Sequence, residues 1–239
     1  MNDPERVAVN KYWENLPDYI GDNDASNFMC VCDTSGSMTW GSSEPKPIDV
    51  ATSLAMYFAE RAKGPFHNHY ISFASRPQLI KIVGRDFVEK VQHIRETNLC
   101  DNTNLEAVFN LLLSIAKRGI PAEDFVKKLF IISDMEIDRA TNEISYSGSF
   151  YDRGPESYNG FKSLMERIRE NWERQTDIPF PQLYYWNVNA RNNTVLDLGK
   201  DVSYISGASP AILKQVLSGK TGWELCLETL LSDRYKVIR

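Results

Sequence analysis

The stretch FMCVCDTSGSMTW, residues 28 to 40, decides the fold. It opens with five apolar residues and turns at Asp33 into a segment rich in hydroxyl side chains. An unbroken apolar run of this length is typical of a central parallel strand that helices cover on both faces. A second run of this kind, KLFIISD at residues 128 to 134, also ends in an aspartate, Asp134. The two runs predict neighbouring strands of a mostly parallel sheet, with both aspartates at its carboxyl edge.

The rest of the chain alternates weaker strand patterns with segments of helical period. This alternation predicts an α/β fold, with a Rossmann-like, open, mostly parallel central sheet and helices on both of its faces. The apolar stripes of the helices are predicted to be core rather than cofactor contacts. The weaker strands are predicted at residues 69 to 74, 79 to 83, 182 to 189 and 201 to 206, and the helices at 48 to 62, 103 to 119, 157 to 172, 209 to 219 and 221 to 233.

Domain organisation follows from length and pattern. A chain of 239 residues with 42% hydrophobic content is long enough to bury one full core. Residues 1 to 26 are predicted to form a helical extension that packs on the domain through Val7, Trp13 and Leu16. Residues 27 to 239 are predicted to form the domain itself.

Composition narrows the function classes. The formal net charge is -5, and the sequence has no block of like charges. This argues against a chain that binds nucleic acid without a partner, because phosphate binding needs a concentrated basic face. The N-terminus has no long apolar run, so we expect neither a signal peptide nor a membrane span, and a cytoplasmic location. The four cysteines match neither a zinc site nor a disulfide framework, and Cys30 and Cys32 are predicted to fill the core.

A candidate metal site follows from the carboxyl edge, where open α/β sheets bind ligands. Asp33 and Asp134 are expected to converge there with Ser35, Ser37 and a third loop that carries Thr103. These side chains offer only hard oxygen ligands, which favour Mg²⁺, with Mn²⁺ and Ca²⁺ as alternatives. If the hydroxyls are direct ligands and the aspartates act partly through water, the cation keeps unneutralised charge and an open position. We therefore expect it to attract an acidic side chain of a protein partner.

Several residues near this site have alternative roles. Thr103 and Glu106 are in capping-box spacing, so the Thr103 hydroxyl is either a helix cap or a metal ligand, and we favour the ligand. Glu136 and Asp138 follow the second aspartate, Asp134. They are either acids that contact the metal ligands or lie at the rim of the site, or solvated loop charges. The polar segment 139 to 157 is too long for a simple connection, which is typical of a functional or disordered loop.

The order Asp33-x-Ser35-x-Ser37, then Thr103, then Asp134 resembles the metal-ion-dependent adhesion site of von Willebrand factor A (vWA) domains. The resemblance implies a vWA fold in which these five residues bind a divalent cation that captures an acidic group of a partner. A closer resemblance covers nearly the whole chain. VCDTSGSM, KLFIISDMEID and the terminal RYKVIR are similar to the C-terminal A-domain half of a family of unknown function, found mainly in plants and viruses and related to the Ro/TROVE RNA-binding proteins.

The TROVE resemblance implies an alternative function. In TROVE proteins RNA is held mainly by a separate helical-repeat ring, which these 239 residues do not contain. The alternative is therefore a ribonucleoprotein component that associates with RNA indirectly, through a ring-bearing partner. The viral members of the family extend the expected location to the cytoplasm of a virus-infected host cell.

Enzyme signatures are absent from the sequence. It contains no Gly-x-Ser-x-Gly elbow, no Walker P-loop and no Gly-x-Gly-x-x-Gly motif. Metal-assisted hydrolysis is the remaining catalytic interpretation, and it would have to use Glu136 as the general base. We therefore expect a binding module rather than an enzyme.

Overall fold

A computed structural model describes residues 3–20, 27–40, 45–97, 103–134, 155–189, 194–197, 202–207, 212, 224, 227 and 230–233, with the backbone alone for 155–163 and 194–197. Within these described residues, seven strands form one sheet. In chain order they are β1 (Phe28–Asp33), β2 (His69–Phe73), β3 (Leu79–Lys81), β4 (Lys128–Ser133), β5 (Gln182–Asn187), β6 (Thr194–Asp197) and β7 (Val202–Ser206).

The sheet order is β3-β2-β1-β4-β5-β7-β6. The five inner strands are parallel, and the edge strands β3 and β6 are antiparallel to their neighbours. From β1 the chain first builds outward through β2 and β3, then returns to place β4 on the other side of β1. The strand order therefore reverses between β1 and β4, the position where open α/β sheets bind ligands. The mostly parallel sheet confirms the predicted fold class.

Helices flank the sheet, and their described bounds are α1 (Asp3–Glu14), α2 (Pro47–Arg61), α3 (Phe87–Thr97), α4 (Leu105–Ala116) and α5 (Pro155–Gln175). The last three residues of the predicted loop at 139 to 157 belong to α5, and the rest of that loop up to residue 154 lies outside the described residues. Most of the two predicted C-terminal helices also lies outside them. β6 was missed because it is a four-residue edge strand within a polar segment.

Successive residues of β1 point to opposite faces of the sheet, as the pleat requires. Cys30 and Cys32 pack against the core on the α2 side, whereas Met29 and Val31 pack against the core under α4 and α5. Both thiols are buried and free, which confirms them as core residues, and burial raises the pKa of each. The buried faces of the helices thus fix the sheet from both sides.

The N-terminal helix α1 lies on α2 and α3. Its Trp13 ring lies 4.8 Å from the ring of Phe87, and the indole N–H donates a 2.8 Å hydrogen bond to Glu60. Leu16 is half-buried against the same core. The predicted packing role of Val7 is wrong, because this side of α1 faces solvent and leaves Val7 53% exposed. The division of the chain at residue 26 stays a prediction.

Ion pairs fix the other end of α1. Arg6 contacts Asp86 at 2.7 Å and Glu89 at 3.0 Å, and Arg85 contacts the same Glu89 at 2.6 Å. These contacts hold the pKa of both carboxyls near 2, with the hydrogen bond from Arg6 as the largest cause for Asp86 and that from Arg85 for Glu89. The helix is therefore held to the domain by polar contacts at its start and by an aromatic contact near its end.

Candidate metal centre

Asp33 ends β1 and is fully buried. Its Oδ1 accepts a 2.9 Å hydrogen bond from the backbone N–H of Ser35, and its Oδ2 accepts a 2.5 Å hydrogen bond from the hydroxyl of Ser133. Ser133 ends the neighbouring strand β4 and is also fully buried. The two strand ends therefore hold the carboxylate in one orientation.

The environment of Asp33 disfavours its negative charge. Its pKa is raised to about 6, chiefly by burial and to a smaller extent by the nearby carboxylate of Asp134, against the lowering effect of the hydrogen bonds from Ser133 and Ser35. At neutral pH the group is still mostly ionised, so a buried negative charge lies within electrostatic reach of Asp134. A cation between or beside the two carboxylates would relieve their repulsion.

Ser35 and Ser37 lie in a tight turn directly after β1. Their hydroxyl oxygens are 3.0 Å apart, and both side chains are half-buried. The 3₁₀ segment Gly36–Thr39 holds this turn, in which the backbone N–H of Met38 donates to the Ser35 carbonyl at 3.2 Å. The turn brings two hydroxyls onto the same edge as Asp33.

Met38 joins this turn to the second aspartate. Its side chain is fully buried, and its sulfur accepts a 3.2 Å hydrogen bond from the backbone N–H of Asp134. Asp134 is the first residue after β4 and is half-buried. The sequence pattern did not predict Met38 or Ser133 as site residues. The signal for Met38 was a single apolar residue in a polar segment, and that for Ser133 was a hydroxyl at the end of an apolar run.

Thr103 is fully buried and lies two residues before α4. The helix-cap alternative for Thr103 does not match the structure, because the N-cap is Asn104, whose Oδ1 accepts a 3.0 Å hydrogen bond from the backbone N–H of Ala107. Glu106 instead forms an ion pair with Arg167 at 3.3 Å. Helix capping therefore does not compete with the proposed ligand role of Thr103.

The described contacts link Asp33, Ser35, Ser37 and Asp134, while Thr103 begins the loop-to-helix junction of α4. The predicted acids Glu136 and Asp138 lie outside the described residues. Within the described ranges there is no group of three or more His, Cys, Asp or Glu side chains able to hold a metal. Carboxylate and hydroxyl oxygens fit a hard divalent cation rather than zinc or copper, so the residues present fit Mg²⁺.

A family model described as "Domain of unknown function (DUF7788)" matches residues 27–229, a region that includes all five candidate ligands. The chain belongs to the DUF7788 family. Its helices, in the part of the chain that the structure describes, include none long and apolar enough to cross a membrane. The predicted cytoplasmic location stays a prediction.

The other matched proteins described next are either much longer than this chain or have low sequence identity to it. The uncharacterized protein L728 of Acanthamoeba polyphaga mimivirus is 27% identical over 217 residues, which are 89% of this chain and 34% of that protein. The Ro (RSR) protein of Deinococcus radiodurans has a TM-score of 0.52 at 15% identity, over 87% of this chain and 36% of that one. The VWA domain of SpRpn10 has a TM-score of 0.43 at 11% identity, and the match covers 82% of this chain and 95% of that one. The chain thus spans about a third of the length of L728 and of the Ro protein.

The likeness to the Ro protein, at 15% identity, concerns the fold alone. Together with the sheet order and the flanking helices, it supports a vWA-like fold, as the motif resemblance implied. The adhesion-site assignment and the closer TROVE-related family stay predictions.

Proposed function

We propose that this domain binds a divalent cation, preferably Mg²⁺, and uses it to capture an acidic side chain of a protein partner. The observation that carries this proposal is the buried carboxylate of Asp33, oriented by two hydrogen bonds beside a pair of hydroxyls. The five residues that would hold the cation are Asp33, Ser35, Ser37, Thr103 and Asp134.

The charges of the site support a cation. A carboxylate offers about four acceptor positions, and the hydrogen bonds from Ser35 and Ser133 leave part of them open. The pKa of Asp33 is raised by burial and by Asp134, which means that an ionised Asp33 is in an unfavourable environment. Metal coordination is one of the few ways in which a buried charge is compensated in proteins.

The neutral ligands support capture of an acid. Ser35, Ser37 and Thr103 bring oxygen atoms without charge, so a cation that these hydroxyls contact directly, with the aspartates acting partly through water, keeps charge that its direct ligands do not neutralise. When bound, the cation supplies an electrophilic position that a carboxylate oxygen from outside the domain can occupy. Mn²⁺ and Ca²⁺ are alternatives because they accept the same ligands.

A capture experiment tests this function. The immobilised chain, its Ser35→Ala/Ser37→Ala variant and a Ser114→Ala control are exposed to extract with Mg²⁺ or with chelator. Ser114 is an exposed serine whose hydroxyl bonds to the Leu111 carbonyl, so the control removes a hydroxyl away from the site. We expect one partner that is lost with chelator and with the double variant, and kept by the control. A partner retained in chelator would contradict metal-dependent capture.

A second candidate function is a ribonucleoprotein component that acts beside a separate RNA-binding ring. It is supported by the sequence resemblance to TROVE A domains and by the fold likeness to the Ro protein. The test is whether nucleic acid co-purifies with the chain and whether the isolated chain binds RNA. Tight binding that weakens steeply with salt would favour this candidate, since phosphate contacts release counterions.

A further inference from the structure

Trp40 stands at the rim of the candidate metal centre. Its side chain is 78% exposed, although tryptophan is largely buried in most proteins. Its backbone N–H donates a 3.1 Å hydrogen bond to the carbonyl of Ser37, one of the five candidate ligands. An exposed indole is therefore attached directly to the turn that carries the site hydroxyls.

The turn fixes the backbone that carries Trp40. Met38 fills the core beneath the turn, and the Thr39 hydroxyl donates a 2.7 Å hydrogen bond to the carbonyl of Gly36. Trp40 follows these two anchors immediately. A partner that contacts this indole would lose little backbone freedom of the domain on binding, which favours affinity.

The spacing suits an extended peptide. A hydrogen bond from residue i+3 to residue i keeps the two Cα atoms within about 7 Å, and this applies to Ser37 and Trp40. Side chains two residues apart on an extended strand are also separated by about 7 Å and point to the same side. The spacing of two such side chains therefore matches the spacing between the backbone of Ser37 and that of Trp40.

We infer that Trp40 determines partner specificity by packing on an apolar side chain that lies two residues from the captured acid. This inference rests on the proposed function, because the acid anchor needs the cation. An apolar group is the occupant that an indole face stabilises most generally, and tryptophan is enriched among residues that dominate interface energies. The net charge of -5 argues against a nucleic-acid base as the occupant, since it would bring further phosphates.

The test uses two peptides, N-acetyl-Glu-Gly-Leu-amide and N-acetyl-Glu-Gly-Gly-amide, titrated into the full chain at saturating Mg²⁺. Binding is followed by the NMR signal of the Trp40 indole N–H and by calorimetry. We expect the leucine peptide to bind about tenfold more tightly than the glycine peptide, which is the scale of a single well-packed contact. The preference should vanish in Trp40→Ala while Mg²⁺ affinity stays unchanged.

Matched variants separate the outcomes. Tyr12→Ala removes another exposed aromatic, 73% exposed on α1, and should keep the leucine preference. Equal affinity for both peptides in a chain that binds Mg²⁺, or an undiminished preference in Trp40→Ala, would overturn the role of Trp40 alone. Failure of the wild type to bind Mg²⁺ would overturn the proposed function and this inference together. Stronger perturbation of Trp40 by an oligouridylate than by the leucine peptide would overturn the apolar occupant in favour of RNA.

Discussion

The hydroxyl of Ser133 donates a 2.5 Å hydrogen bond to Oδ2 of Asp33, and both side chains are fully buried. This contact joins the ends of β1 and β4 across the point where the strand order reverses. It fixes the direction of the carboxylate on which the proposed function depends.

Replacement of Ser133 by alanine should weaken both folding and metal binding. Hydrogen bonds to charged groups contribute about 1.5–3 kcal/mol, and a buried carboxylate oxygen would lose its partner. We expect urea unfolding to show a loss of this order and calorimetry to show weaker Mg²⁺ binding. The control Ser114→Ala, at an exposed helix position, should change neither. Unchanged Mg²⁺ affinity in Ser133→Ala would contradict the orienting role.

Asp33→Asn should stabilise the metal-free chain near neutral pH. The folded-state pKa of Asp33 is about 6, above the ordinary 3.8, so the folded state holds this proton more tightly than the unfolded state. Its stabilising contribution is fully present below the unfolded pKa of 3.8 and is lost as pH rises from there to about 6. The ionised group then costs about 3 kcal/mol at pH 7, which asparagine avoids.

The measurement is urea unfolding in chelator from pH 4 to pH 8. The advantage of Asp33→Asn over wild type should be small at pH 4, grow between about pH 4 and pH 6, and level off above pH 6. Added Mg²⁺ should reverse the order at neutral pH, because only the wild type gains binding energy. A wild type that is as stable as the variant throughout this range in chelator would contradict the buried, ionised state of Asp33.

Thr103 and Asn104 provide a matched pair that separates a ligand from a helix cap. Thr103→Val should lower Mg²⁺ affinity because it removes a candidate ligand oxygen. Asn104→Ala should cost about 1 kcal/mol of stability, since it removes the cap on the Ala107 N–H, and leave Mg²⁺ affinity unchanged. Calorimetry and urea unfolding on both variants check this. Equal loss of Mg²⁺ binding in the two variants would contradict the division of roles.

Met38 is expected to stabilise the site by packing beneath the serine turn and by accepting the Asp134 N–H. Met38→Ala should destabilise the chain by about 2–5 kcal/mol, because it leaves a cavity under the serine turn. Met38→Leu keeps most of the volume but removes the sulfur that accepts the Asp134 N–H, so its cost should stay below about 1.5 kcal/mol. Thermal unfolding distinguishes the two. A leucine variant as unstable as the alanine variant would show that the sulfur contact, rather than packing, dominates.

The sheet was predictable because its central strands are continuous apolar runs with few other structural options. Both long runs became parallel neighbours, with Cys32 opposite Ile132 and the aspartates just beyond. The short edge strand Thr194–Asp197 was not predictable, since its pattern is set by its pairing with β7 rather than by its own residues.

Site details depended on contacts between distant residues. The contact of Ser133 with Asp33 follows from the register of β1 and β4, and a serine at a strand end has no distinctive local pattern that would predict it. The cap on α4 lies one residue later than the Thr-x-x-Glu pattern suggested, since Asn104 is itself a strong capping residue. Val7 was assigned to a packing face because the helical period alone does not say on which neighbour α1 rests.

The central claim is that Asp33 holds a divalent cation, and calorimetric titration of Mg²⁺ into wild type and Asp33→Asn tests it most directly. Asp177→Asn, at an exposed carboxylate, is the matched control for the same chemical change. The account predicts saturable binding to one site in wild type and in Asp177→Asn, and none in Asp33→Asn. Equal Mg²⁺ binding by wild type and Asp33→Asn would contradict it.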